Sequence, residues 1–237
     1  MCVCVYYDYS YLFKKTEQNF FSVHFFPTSF FLFFFVFRQK QKQNKKMANR
    51  FFLKLVILGA PGSGKGTISN RMIRDFNLAY FAVGDCLRDH MKQQTKIGNE
   101  AKRFIEQGKL VPDNVINQLV INELCERFKQ KSWLLDGYPR NREQTLELWK
   151  QPEEFRPNAI INLIVPDDEI IERIKHRWVH LPSGRIYHMI YSPPKNPGVD
   201  DETGEPLTQR NDDKPDVIKA RLLEFHKQND EIVKLFR

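Results

Sequence analysis

Phe52-Leu53-Lys54-Leu55-Val56-Ile57-Leu58 runs directly into Gly59-Ala60-Pro61-Gly62-Ser63-Gly64-Lys65-Gly66-Thr67, and this junction decides the fold. The first part is a short, largely apolar run, the pattern of a parallel strand buried on both faces. The glycines of the second part let the backbone turn its N–H groups inward into a concave nest for phosphate oxygens. A helix beginning near Gly64 points its positive end at the same place. Gly62, Ser63, Gly64, Lys65, Gly66 and Thr67 therefore form a candidate triphosphate cradle, with Lys65 reaching the β- and γ-phosphates. Gly66 stands where such loops usually carry the Ser or Thr that ligates magnesium, and Thr67 follows it. Magnesium is accordingly expected on phosphates and waters, with no direct protein ligand. A GTPase switch is disfavoured, because that hydroxyl is missing and no N-K-x-D guanine-reading motif occurs.

Outward from the loop, the chain alternates apolar runs with helical stretches, which implies an α/β fold: a doubly wound parallel sheet with helices on both faces. Strands are expected near 52–58, 79–82, 132–135 and 159–165. Trp133-Leu134-Leu135 leads into Asp136-Gly137-Tyr138-Pro139-Arg140, which puts Asp136 at a strand's C-terminal end, where a carboxylate can hold a magnesium-bound water. Gln144 lies four residues after Arg140 and shares its helical face. After a helix over 167–176 the chain changes character. Pro182, Gly184, Pro193, Pro194, Pro197, Gly198, Gly204 and Pro206 crowd one segment, which reads as a small irregular β insert. Asp212 and Asp213 ahead of Lys214-Pro215 mark a new helix start, and that helix runs to Arg237.

The loop G-x-P-G-x-G-K-G-T resembles that of the adenylate kinase family, and later motifs continue the likeness from about Phe51 to the last residue. Val83-Gly84-Asp85-Cys86-Leu87-Arg88 is similar to the segment that opens the family's monophosphate-binding lobe. Gly108-Lys109-Leu110-Val111-Pro112-Asp113 resembles the segment lining its acceptor-base pocket. The resemblance implies an AMP site of Val83, Gly84, Arg88, Lys109, Leu110, Val111, Gly137, Tyr138, Pro139, Arg140, Gln144, Arg210 and Arg221. Val83 departs from the family's usual hydroxyl, a hydrogen bond worth about 1 kcal/mol. The triphosphate side gains Arg173, Arg177, Ile186 and Tyr187, with Arg173 stacking on the donor base. Lys65, Arg140, Arg177, Arg210, Arg221 and Asp136 form the implied catalytic set, and no general base is required. Phosphoryl transfer asks for alignment and positive charge, which such a set supplies.

The same resemblance places two mobile lobes, an acceptor lobe near 82–111 and a lid near 176–213. Where some members bind zinc through four cysteines, this chain has His180, Ser183, Asp200 and Thr203, so a hydrogen-bonded lid with no structural zinc is expected. Arg177-Trp178, TGEPL-x-QR and DDKP look most like members that use GTP in mitochondria, while ATP-preferring members share most of these features. The implied reaction moves the γ-phosphoryl of GTP or ATP to AMP with Mg2+, giving ADP. The implied location is the mitochondrial matrix, with the cytoplasm as the alternative. Family members continue past the position of Arg237 into a last strand and helix. A C-terminally short chain is thus expected to leave a bare sheet edge. That shortening also keeps open a catalytically impaired nucleotide-binding protein.

Composition is consistent with these expectations. The net charge is +8, but residues 1–46 hold seven Lys/Arg and two Asp/Glu, which is +5 and leaves +3 on the remaining 191 residues. So small an excess gives no nucleic-acid or membrane signal, and small-molecule nucleotides are the expected partners of a monomer. The four cysteines, Cys2, Cys4, Cys86 and Cys125, show no metal spacing or disulfide framework, as in a reducing compartment. Phe25–Phe37 reads FFPTSFFLFFFVF, too short at thirteen residues to span a bilayer, and the basic stretch RQKQKQNKK follows it. Phe codons are T-rich and Lys, Gln and Asn codons A-rich. Residues 1–46 therefore read as a translated untranslated leader ahead of a kinase body at 47–237, with a membrane-associated leader as the other reading.

Overall fold

In the computed structural model, residues 3–8, 52–107 and 109–236 are described, the first of these as backbone alone. The rest of the 1–46 leader, its Phe-rich run, Met47, Gly108 and Arg237 lie outside the described residues. The strands are β1 (Val3–Asp8), β2 (Lys54–Gly59), β3 (Ala79–Ala82), β4 (Trp133–Asp136) and β5 (Ala159–Ile164). They make one parallel sheet in the order β1-β5-β2-β4-β3. Helices α1 (Lys65–Phe76), α4 (Asp113–Arg127), α5 (Arg142–Lys150), α6 (Asp167–Lys175) and α7 (Pro215–Phe236) flank it. Strands β2 to β5 fall within two residues of the sequence expectation.

Strand β2 shows why an unbroken apolar run is needed here. Side chains alternate across a strand, so Leu55 and Ile57 face one way and Val56 and Leu58 the other. Leu55 and Ile57 join Met72 and Leu134 beneath α1, whereas Val56 and Leu58 join Leu135, Leu124, Leu148 and Phe236 beneath α4, α5 and α7. Leu55, Val56 and Ile57 are fully buried, and each contributes about 1.5–3 kcal/mol.

One expectation about the sheet is overturned. The outer edge of β5 is not bare: β1 pairs along it in register from Val3 opposite Ala159 to Asp8 opposite Ile164. Five parallel strands result, one of them supplied from the far N-terminal end of the chain.

Two excursions leave the sheet. Between β3 and α4 stand α2 (Val83–Lys92) and α3 (Lys96–Glu106). Thr95 caps α3 by accepting from Gly98 N at 3.1 Å. Gly98 permits the close crossing of α2, because a Cβ there would sit 2.1 Å from His90 O. Between α6 and α7 lies an irregular insert built on the antiparallel pair β6 (Arg177–Val179) and β7 (Ile186–His188). Single bridges Val179–Thr208, His188–Ser192 and Val199–Pro206 complete it.

Candidate active site

The loop after β2 takes a shape that only its glycines allow. Gly62 and Gly64 have φ of +80° and +91°, and a Cβ on Gly62 would lie 2.7 Å from the Ile174 side chain. Lys65 opens α1 and folds its ammonium back over the loop, donating to Gly59 O and Ala60 O at 2.8 Å each. Burial pushes the Lys65 ammonium down to about 8; Asp136 opposes this, and Arg140, Arg221 and Arg177 reinforce it. Asp136 ends β4, and burial raises its carboxyl against the pull of Lys65 and a hydrogen bond from Tyr80. Tyr80 Oη donates to Asp136 Oδ2 at 2.9 Å.

A cavity of about 140 Å³ opens beside the loop at the C-terminal ends of the strands. Of the sequence candidates it gathers Lys65, Val83, Gly84, Arg88, Lys109, Leu110, Val111, Gly137, Pro139, Arg140, Gln144 and Arg221. Its cations are held by local carboxylates and carbonyls. Arg88 pairs with Asp85, Arg140 Nε donates to Gly137 O at 2.8 Å, and Arg221 Nη1 donates to Asp212 Oδ2 at 2.8 Å. Burial lowers both Arg140 and Arg221. Repulsion from Arg221 and Arg88 adds to this at Arg140 against Asp136 and Asp212, while at Arg221 the pull of Asp212 and Asp213 opposes burial and repulsion from Arg177 and Arg88. Asp212 responds in the opposite direction: burial would raise it, and Arg221, Arg88, Arg210 and Arg177 together bring it below the usual range.

Apart from Gln144, the candidates that follow lie outside that cavity. Tyr138 is fully buried, precedes Pro139 across a cis peptide, and donates to Asn117 Oδ1 at 2.9 Å and Gln144 O at 3.0 Å. It therefore holds the Asp136–Arg140 turn, and its ring does not face the cavity. Gln144 is clamped by accepting from Arg140 N at 2.7 Å and donating to Asp113 Oδ1 at 2.7 Å, which leaves one Nε2 hydrogen for a ligand. Gly62, Ser63, Gly64, Gly66 and Thr67 lie in the loop and first turn of α1, with Ser63 buried and Thr67 exposed. Arg177 pairs with Asp213, Nε donating at 2.9 Å, and Arg210 lies 3.9 Å from Asp85 across the cleft. Arg173 donates to Glu169 Oε1 at 2.9 Å. Ile186 is half exposed on the insert, and the Tyr187 hydroxyl donates inward to Asp200 Oδ1 at 2.9 Å.

Within the insert the four non-cysteine residues do gather. His180 Nδ1 meets Ser183 Oγ at 2.7 Å, and Thr203 Oγ1 donates to Asp200 Oδ2 at 3.0 Å. Sequence reading missed two further members: Arg185, which grips Asp200 through Nε and Nη2 at 2.7 and 2.6 Å, and Glu205, 2.6 Å from His180 Nε2. Among the described residues no three His, Cys, Asp or Glu side chains are grouped to hold a metal. Tyr80, Asp113 and Asp212 were also missed. Asp113 and Asp212 carried a signal, as members of the quoted GKLVPD and DDKP segments.

The family model for adenylate kinase matches residues 57–237. The chain belongs to the adenylate kinase family. It is thus a nucleoside monophosphate kinase, a phosphotransferase on the P-loop α/β fold described above. It is 46% identical over 185 residues to a protein of Saccharomyces cerevisiae named mitochondrial GTP:AMP phosphotransferase, covering 75% of this chain and 82% of that one. A Drosophila melanogaster protein of the same name is 46% identical over 167 residues, covering 70% of this chain and 76% of its own.

Proposed function

We propose that this adenylate kinase family member transfers the γ-phosphoryl group of GTP to AMP in the mitochondrial matrix. The observation that carries the proposal is the clustering of Lys65, Arg88, Arg140 and Arg221 around one cavity beside the phosphate loop. Burial and repulsion depress three of these cations, so each gains when an anion arrives. The triphosphate lies on the loop from Gly62 to Thr67 with Lys65 against its β- and γ-oxygens. Arg88, Arg140 and Arg221 grip the AMP phosphate, Gly84, Lys109, Leu110 and Val111 line the base pocket, and Gln144 gives its remaining Nε2 hydrogen to adenine. Arg177 and Arg210 approach from the insert, with Ile186 and Arg173 beside the donor base.

In the reaction an oxygen of the AMP phosphate attacks the γ-phosphorus, and the bond to the β–γ bridging oxygen breaks. GDP and ADP are released. Lys65 and the arginines hold the two oxygens in line and balance the spreading charge. The donor set suits magnesium carried by the nucleotide: Asp136 is a single buried carboxylate at a strand end, fit to hold metal-bound water, and no side-chain hydroxyl follows Lys65. When bound, the metal neutralises charge on the β- and γ-oxygens.

The names of the yeast and fly relatives support both GTP as donor and a mitochondrial site. ADP formation from AMP, Mg2+ and either GTP or ATP, with Arg140→Ala as control, tests the assignment. Faster turnover with GTP is expected; faster turnover with ATP would reassign the donor.

A further inference from the structure

Helix α2 is tied to the insert at both of its ends. In its first turn Asp85 faces Arg210 Nη2 at 3.9 Å. In its last turn Lys92 Nζ donates to Leu181 O at 2.5 Å, a contact between residues 89 apart in sequence. Asp85 and Lys92 stand seven positions apart on the helix, about 10 Å along its axis, with Arg88 between them.

The carbonyl that Lys92 meets is held in a fixed turn. His180 N donates to Arg185 O at 2.9 Å and Gly184 N to His180 O at 2.8 Å. The buried His180 ring anchors that turn through Ser183 and Glu205. Lys92 also has a second partner on its own helix, Asp89 Oδ1 at 3.7 Å. The ammonium thus has one partner within its own lobe and another across the cleft, and the second exists only when the lobes meet.

We propose that Lys92 is a positioning residue that latches the acceptor lobe to the lid, so that closure over one nucleotide favours closure over the other. It touches no reacting atom. Its contact adds free energy only to the state in which both lobes are shut, which makes it a coupling term between the two nucleotide sites. Such coupling is reciprocal: whatever the triphosphate does for AMP affinity, AMP does for triphosphate affinity. The latch rests on the two-nucleotide reading given above and is indifferent to which triphosphate is the donor.

The test is calorimetric titration of AMP into the full chain, alone and with saturating imido analogue of GTP, repeated with that of ATP. The wild-type protein is expected to bind AMP more tightly when the analogue is present. Lys92→Met should lose about threefold to tenfold of that enhancement while binding AMP alone as before. Lys92→Arg should retain it, because a guanidinium reaches the same carbonyl, whereas a general structural defect would not be rescued. In steady state, Lys92→Met should raise the KM for AMP without lowering kcat. Equal enhancement in Lys92→Met and wild type, or none in either, overturns the latch. Failure of the wild type to bind AMP at all would instead overturn the nucleotide reading beneath it.

Discussion

The cleft and the lid use the same residue types to opposite electrostatic ends. In the lid, Arg185 is raised above the ordinary arginine value by its hydrogen bonds to Asp200, and Asp200 is lowered well below the carboxylate range by the same bonds. Each charge there has its partner. In the cleft, burial together with repulsion from Arg88 and Arg177 lowers Arg210 to about 10. Arg140 and Arg221 are depressed in the same sense. Arginines that pull one another down are held together against their own preference by the surrounding fold. The difference separates cations that hold a lobe together from cations that await an anion.

Four experiments test that contrast. Removing a cleft cation should cost activity and spare stability: Arg140→Ala is expected to lower kcat about 10²–10³-fold with an unchanged or raised melting temperature. A coupled ADP assay beside a thermal melt checks it, and a large fall in melting temperature would erase the distinction. Asp200→Ala should do the reverse. The lid should open to limited proteolysis while the sheet stays protected, and kcat/KM should fall about tenfold through loss of alignment alone.

The pH response of Lys65 comes next in size. Its ammonium is present below about pH 8 and is lost above it, so triphosphate affinity should be full at pH 7 and fall about tenfold for each unit beyond 8. Stability should move oppositely. Between about pH 8 and the ordinary lysine value of 10.5 the unfolded chain binds the extra proton, so this group's contribution to native stability rises with pH. Titrating nucleotide affinity and melting temperature over the same range measures both slopes. The smallest effect is expected at Val83, which lines the cavity from a buried position. Val83→Thr should lower the KM for AMP up to about fivefold if its hydroxyl finds the ligand.

How far the sequence could be read depends on how local the determining interactions are. Phe52 to Thr67 encodes strand, turn and helix in adjacent residues, so both the architecture and Lys65 were visible there. The insert was visible as well, because proline and glycine mark irregular backbone wherever they fall. Tyr80 donating to Asp136 was not visible, since 56 residues separate the two and a tyrosine in a strand looks like any packing residue. Arg185 and Glu205 escaped for the same reason, as charged side chains in a polar segment that reveal their partners only when folded. The pairing of Val3–Asp8 with β5 lay furthest from view, because strand pairing across most of a chain leaves no local pattern. The roles of Gln144 and Tyr138 were mixed: both were legible as members of a motif, yet each is largely committed to holding that motif in shape.

The resting position of Lys65 also bears on the speed of nucleotide capture. An ammonium has three N–H directions, and the carbonyls of Gly59 and Ala60 take two of them. The third can grip an arriving phosphate before either carbonyl is released. The exchange then proceeds hand over hand, one bond at a time, with no moment at which a bare ammonium must be stripped of all its partners.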